Sequence, residues 1–295
     1  MTRSRGRRPL KLLLVLAIIV SSLAISGGAA LAQGNSGAVY TLTNNAAGNE
    51  VAVFSRMADG SLTRTASVST GGLGSGDGLG SQGAIVLSQN NKWLLAVNAG
   101  SNELSVLQVQ GQDLHLTDVV PSGGMRPISV TIHGNIIYVL NDGGGIAAGN
   151  ITGFWMNPQG ELAMIPGSTQ PLSADAVGPA QVQFTPHGNQ LVVTEKATNQ
   201  ILTYAVDRHG LAGTPVVNQS EGMTPFGFDF TKRGDLIVSE AFGGAENASA
   251  VSSYQVNSGG GLHTRSASVG THQTAACWVV VTNNGKFAYT TNTGS

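Results

Sequence analysis

The feature that most constrains this chain is a recurring run of aliphatic and β-branched residues closed by a polar one. Trp93–Asn98 reads WLLAVN, Ile136–Asn141 reads IIYVLN and Leu191–Glu195 reads LVVTE. Val39–Asn44, Leu236–Glu240 and Phe287–Asn292 carry the same pattern. The closing Asn or Glu falls at 44, 98, 141, 195, 240 and 292, at spacings of 54, 43, 54, 45 and 52 residues. Repeats of about 40–50 residues that each hold several strands define a β-propeller. No stretch keeps a period of about 3.6 residues, which excludes a helical array.

Each full repeat resolves into four strands, first to fourth from the axis outward. In the fourth repeat they are expected near Ala180–Thr185, Gln190–Thr194, Gln200–Val206 and Leu211–Val217. Tight polar turns such as Pro186–Asn189 join first to second strands, and Asp207–Gly210 and its counterparts join third to fourth. Gly, Asn and Asp there supply the positive φ of short hairpins. The other two connections vary in length: Asn141–Asn150 and Glu240–Ser249 lie between second and third strands, and 70–83 and 168–178 lead into the next repeat. In an up-and-down blade both emerge on one face, and insertions gathered on one face mark the binding side of a repeat array.

The strand count comes to 21: three in the first repeat, four in each of the next four and two after Thr274. The expectation is an all-β propeller of four-stranded antiparallel blades. About five blades and part of a sixth are present, the chain is incomplete at its carboxyl end, and the strand closing the first blade lies in the missing part.

The amino terminus reads as a secretory signal peptide over residues 1–32. Arg3, Arg5, Arg7, Arg8 and Lys11 precede the apolar run Leu12–Ile25, and Ala30-Leu31-Ala32 forms a small-residue exit. The apolar run is shorter than the roughly 20 residues that span a bilayer. Residues 33–295 are then the propeller domain of a secreted or periplasmic protein, with no membrane span after cleavage. That domain carries 10 basic and 16 acidic residues, a net charge of −6, which disfavours nucleic acid and anionic lipid as partners. A single cysteine, Cys277, excludes a disulfide scaffold and is expected as a small buried apolar residue.

Gly178-Pro179 ahead of a first strand, the Phe184-Thr185-Pro186-His187-Gly188 turn and the Asn or Glu closing each second strand resemble the seven-bladed lactonase family. That family includes the 6-phosphogluconolactonase and carboxymuconate lactonizing types, and the resemblance spans most of residues 38–295. It implies opening or closing of a five-membered lactone without a metal. The groups it implies are basic residues at the starts of first strands and a carboxylate at the end of a second strand. Glu195 stands at the carboxylate position. The family's Gly-Pro-Arg-His is replaced by Gly178-Pro179-Ala180-Gln181, and its Pro-His by Pro127-Ile128.

Two function classes follow. In one, the chain is an exported lactonase-family propeller that hydrolyses a small sugar-acid or related lactone at the axial mouth. Glu195 is then the acid/base, and Arg126, Glu240, His272, Asn98 and Asn141 are the substrate-binding candidates. An Arg holds an anionic group and a carboxylate moves a proton. In the other, Ile128, Ala180 and Gln181 mark a non-catalytic propeller binding a small ligand or a protein partner, or serving as a surface-assembly module. His133, His187 and His209 fall in the tight turns, and His115 and His263 in outer strands, away from the variable face. The spacing of His, Asp and Glu gives no metal site, no cofactor is expected, and Gly71–Gly80 reads as a flexible loop rather than a nucleotide fingerprint. Asn150, Asn218 and Asn247 begin N-glycosylation triplets.

Overall fold

The computed structural model describes residues 37–295. The expected signal peptide lies outside them. Six antiparallel sheets follow one another along the chain, and among the described residues there is no α-helix.

The first sheet orders Gly37–Leu42, Glu50–Arg56 and Leu62–Ser69. The second orders Ile85–Leu87, Trp93–Asn98, Glu103–Gln110 and Asp113–Pro121. The third begins with Pro127–His133, Ile136–Asn141 and Asn150–Met156. Two short pieces, Leu162–Met164 and Gln170–Pro171, share its outer position, both paired with Asn150–Met156. The fourth sheet orders Pro179–Phe184, Gln190–Glu195, Gln200–Ala205 and Val216–Gln219. The fifth orders Pro225–Phe230, Asp235–Glu240, Ala250–Val256 and Leu262–Gly270, and the last pairs Ala276–Val281 with Ala288–Asn292.

Among the described residues the strands number 22 rather than 21 because the outer strand of the third sheet is broken. Pro166 cannot donate to a ladder, and Gly167 sits at φ +77°, so pairing lapses and then resumes. The outer strand of the fourth sheet is also displaced from the expected Leu211–Val217. Only an isolated bridge, Val206 to Ala212, forms there, and pairing starts after Pro215.

The core lies between sheets. Trp93, Leu95, Val97 and Val106 pack on Val130, Ile132, Val139 and Phe154 of the next sheet. Ile128, Tyr138 and Leu140 meet Val182, Leu191, Leu202 and Tyr204, and Val192 and Ile201 meet Phe228, Val238 and Tyr254. Strand runs apolar on both sides, such as Trp93–Asn98, are buried along their whole length because the second sheet lies between the first and the third.

Side-chain polar groups stitch the first strands together laterally. Val182 N–H donates to Ser129 Oγ (3.1 Å), and Phe228 N–H donates to Gln181 Oε1 (2.8 Å). Gln181 Nε2 returns a bond to the Phe228 carbonyl (2.9 Å), so one amide bridges two blades as a strand would. The long connections do share one face. Gly143 N–H donates to the Met125 carbonyl, Phe242 N–H to that of Met223, and Asn49 N–H to that of Gly72, each joining a second-to-third loop to a blade-to-blade loop.

Candidate functional site

The residues closing the second strands end inside the blades. Asn98, Asn141, Glu195 and Glu240 are all fully buried. Asn98 Oδ1 accepts from Thr70 Oγ1 (2.7 Å) and Asn49 Nδ2 (3.0 Å), and its Nδ2 donates to Ser105 Oγ (2.7 Å). Asn141 Oδ1 accepts from Ser122 Oγ (2.7 Å). Glu195 accepts from Ser173 N–H (3.0 Å), the Ser173 hydroxyl and Thr198 Oγ1 (2.8 Å). Glu240 accepts from Gly222 N–H (2.9 Å), Ser252 Oγ (2.5 Å) and Ser268 Oγ (2.8 Å). The design repeats: a second-strand terminus receives donors from the loop that leads into its own blade. These four residues sit in four different sheets and are not brought into one cluster.

The residue preceding a first strand has positive φ in four blades: Arg126 (+55°), Gly178 (+57°), Thr224 (+59°) and Ala275 (+56°). The Arg126 and Thr224 amides are each caught at 2.7 Å by the side-chain oxygen of an Asn in the preceding hairpin, Asn102 and Asn199. This turn projects Arg126 onto the variable face, where its guanidinium pairs with Asp142 at 2.7 Å. His272 is exposed in the loop following the fifth sheet.

A second cation shares that face with Arg126. Lys196, the residue after Glu195, is turned away from its neighbour and donates to the carbonyls of Gly80 (2.5 Å) and Pro179 (3.1 Å). Its ammonium lies 4.8 Å from the Phe226 ring centroid. Burial pushes its pKa down; Asp142 opposes the shift and Arg126 adds to it. Lys196 is not among the candidates taken from the sequence; the signal that sets it apart from Glu195 is strand alternation, since adjacent residues face opposite sides.

Residues 70–83, a connection whose Gly71–Gly80 part is read from sequence as a flexible loop, form an anchored strap across the axis. Seven of the fourteen are glycine. Gly74 and Gly76 donate to Asn45 and Asn44 carbonyls, and Asn44 Nδ2 donates to Ser75 Oγ (2.8 Å) and the Asp77 carbonyl (2.6 Å). Beyond the tip, Ser81 Oγ donates to the Ile128 carbonyl (2.8 Å), Gln82 N–H to that of Ala180 (3.0 Å), and the Gly83 carbonyl accepts from Val130 (2.8 Å). The Gln82 amide pairs both ways with Val279, at 2.9 Å each. One segment therefore binds the first strands of the third, fourth and sixth sheets.

The strap separates two cavities. One of about 600 Å³ opens on the tight-turn side, lined among others by Gln89, His133, Gln183 and Lys232. A larger one of about 1030 Å³ lies between the strap, the Thr41–Asn44 edge and the last sheet, with Phe226, Trp278 and Tyr289 on its walls. Gly80 and Phe226, the contacts of Lys196, line the larger cavity. None of the six site candidates taken from the sequence lines either one. Cys277 borders the larger cavity and is half-buried rather than enclosed, with its Sγ beside Thr293 Oγ1 (3.1 Å). Among the described residues no group of three His, Cys, Asp or Glu could hold a metal ion.

Sheets of this order, stitched around an axis with long loops on one face, define a β-propeller. A family profile described as lactonase, seven-bladed β-propeller, matches residues 35–165 and 148–281. The chain belongs to that family. No curated protein matches it. Among solved structures it is similar to a Lactobacillus plantarum protein, at 19% identity over 81% of this chain and 70% of that one, with a TM-score of 0.64. Hydrazine synthase of Kuenenia stuttgartiensis matches at 17% identity, 85% and 72% coverage and TM-score 0.57. The periplasmic gluconolactonase of Pseudomonas aeruginosa matches at 20% identity, 80% and 67% coverage and TM-score 0.56. At these identities the likeness is one of fold.

Proposed function

We propose that this protein is a lactone hydrolase that opens a small sugar-acid lactone at the axial mouth of its variable face. Family membership supports the reaction class, and the gluconolactonase among its structural neighbours supports the substrate class. The observation that carries the reading is the pair of cations there: Arg126 and Lys196 grip strap carbonyls only two residues apart. In the reaction, water adds to the ring carbonyl carbon, the ring C–O bond breaks, and the released oxygen takes a proton. A cation beside the carbonyl stabilises the oxyanion that develops, and a second holds an anionic or hydroxyl substituent. Glu195 enters this scheme through Ser173, whose hydroxyl it already binds and which can pass a proton to the carboxylate.

A second reading is favoured by the hydrogen bonds of Glu195, all of which go to two of the protein's own loops. In it the mouth binds a hydroxy acid without turning it over. Export from the cytoplasm is part of both readings, supported by the basic and apolar pattern of the first 32 residues.

Gluconolactone opening, followed by alkali uptake at constant pH, separates the two. A lactonase gives a rate above buffer that falls in Arg126→Ala, and in Glu195→Gln if that carboxylate moves a proton. Wild-type protein at the buffer rate removes the enzymatic reading for this substrate.

A further inference from the structure

The strap tip is held differently from its flanks. Gly78, Leu79 and Gly80 have no backbone hydrogen bond to another backbone group among the described residues. What holds the tip is Arg126 Nη2 on the Gly78 carbonyl (3.4 Å), Lys196 Nζ on the Gly80 carbonyl (2.5 Å), and Leu79 against the core clusters on either side. The flanks are fixed to the first, third, fourth and sixth sheets. Gly76, Gly80 and Gly83 sit at φ +78°, +59° and +82°, where glycine alone moves freely.

Lys196 has no carboxylate partner among the described residues. Asp142 is taken by Arg126, and Glu195 points into the blade. A partly buried ammonium satisfied only by neutral carbonyls is a poor match, because no opposite charge offsets the cost of taking it out of water.

We propose that the Gly78 and Gly80 carbonyls are self-supplied stand-ins for a ligand, and that a hydroxy carboxylate displaces the strap tip from Lys196 and Arg126. Two residues of chain span at most about 7 Å, so the cations grip points no farther apart than that. A five- or six-carbon hydroxy acid, with a carboxylate at one end and a hydroxyl near the other, spans this interval. That is the product of opening a sugar lactone, so the inference rests on the mouth-binding reading and adds a gate to it: substrate enters when the strap yields, and product competes with the strap for the cations.

The structure supplies a reporter. Trp278 Nε1 donates to the Ser81 carbonyl at 2.9 Å, immediately after the tip. Gluconate is titrated into the full chain with tryptophan emission and calorimetry read in parallel. The expected result is binding accompanied by an emission change that Trp278→Phe abolishes. Lys196→Met weakens that binding at least about tenfold, the loss of one charge-assisted contact, and Lys196→Arg largely restores it. Gluconate that binds while Trp278 emission stays constant overturns strap displacement and leaves the binding reading intact. Equal affinity in Lys196→Met overturns the role of Lys196.

A ligand-free arm keeps the latch testable if gluconate does not bind at all. Hydrogen exchange of the Gln82 amide, bonded to Ala180, is expected to quicken in Lys196→Met and return toward the wild-type rate in Lys196→Arg. Unchanged exchange overturns the latch, whereas quickened exchange without gluconate binding overturns only the ligand assignment and the mouth-binding reading for this probe.

Discussion

Glu240 explains the polar residue that closes each repeat. A strand ending inside a blade leaves the donors of the entering loop and of the neighbouring strands without water, and an acceptor at that terminus satisfies them. Glu240 serves Gly222 N–H and two serine hydroxyls at once, and the same place is filled by Asn98 and Asn141 where fewer donors converge. Glu240→Ala strands those three donors in a dry site. We expect a loss of about 3 kcal/mol in urea unfolding, since each buried unsatisfied group costs about 1–3 kcal/mol. His272→Ala, exposed on the same face, is expected to stay within about 0.5 kcal/mol. Equal unfolding midpoints for the two variants would remove the structural role given to Glu240. The recurrence of this residue was legible in the sequence, but its direction was not. Composition at a strand end does not say whether a carboxylate faces the mouth or the neighbouring blade, and Glu195 and Lys196, adjacent in the chain, take opposite sides.

Among the elements, the inner strands and tight turns were readable, and the limits of the outer strands and the course of the strap were not. Runs such as Ile136–Asn141 emerge at their expected limits because β-branched residues between two neighbouring blades have one way to pack. The outer strands slip wherever Pro166, Gly167 or Pro215 interrupts a ladder that only one neighbour supports. The strap escaped altogether: seven glycines read as freedom, whereas here they permit close approach. A Cβ on Gly74 would lie 2.1 Å from the Asn44 carbonyl carbon, and one on Gly100 the same distance from the Gly74 oxygen. A Cβ on Gly78 meets nothing within 4 Å. Gly74→Ala is therefore expected to destabilise by about 1–3 kcal/mol, as overpacking does. Gly78→Ala should leave the denaturation midpoint within about 0.5 kcal/mol of wild type. If both substitutions behave alike, the strap is not tightly packed at Gly74 and open at Gly78.

At the scale of the whole molecule, blade-to-blade tyrosines link stability to alkaline pH. Tyr138 is fully buried; its hydroxyl donates to the Gly210 carbonyl (2.7 Å) and accepts from Ala212 N–H (2.8 Å), tying the third sheet to the fourth. Burial pushes its pKa up to about 12. Tyr204, bonded to the Pro171 carbonyl, and Tyr254, bonded to Glu221 N–H, are also raised by burial, and the Glu195 charge adds to the shift at Tyr204. In the unfolded chain a phenol ionises near pH 10. Below that pH both states hold the proton and the contribution is complete. Above it the unfolded chain releases protons that the folded one keeps, so stability falls as pH rises from about 10 to about 12. Tyr138 alone, shifted by about two units, accounts for about 2–3 kcal/mol across that window. Melting temperatures measured from pH 8 upward should hold nearly level and then drop steeply beyond pH 10, with the phenolate absorbance of Tyr138, Tyr204 and Tyr254 appearing as the sheets separate. Tyr138→Phe gives up two hydrogen bonds at neutral pH, about 1–2 kcal/mol, yet its alkaline limb should be shallower than that of wild type. Parallel limbs would mean that the phenol between the third and fourth sheets is not among the groups whose ionisation drives the blades apart.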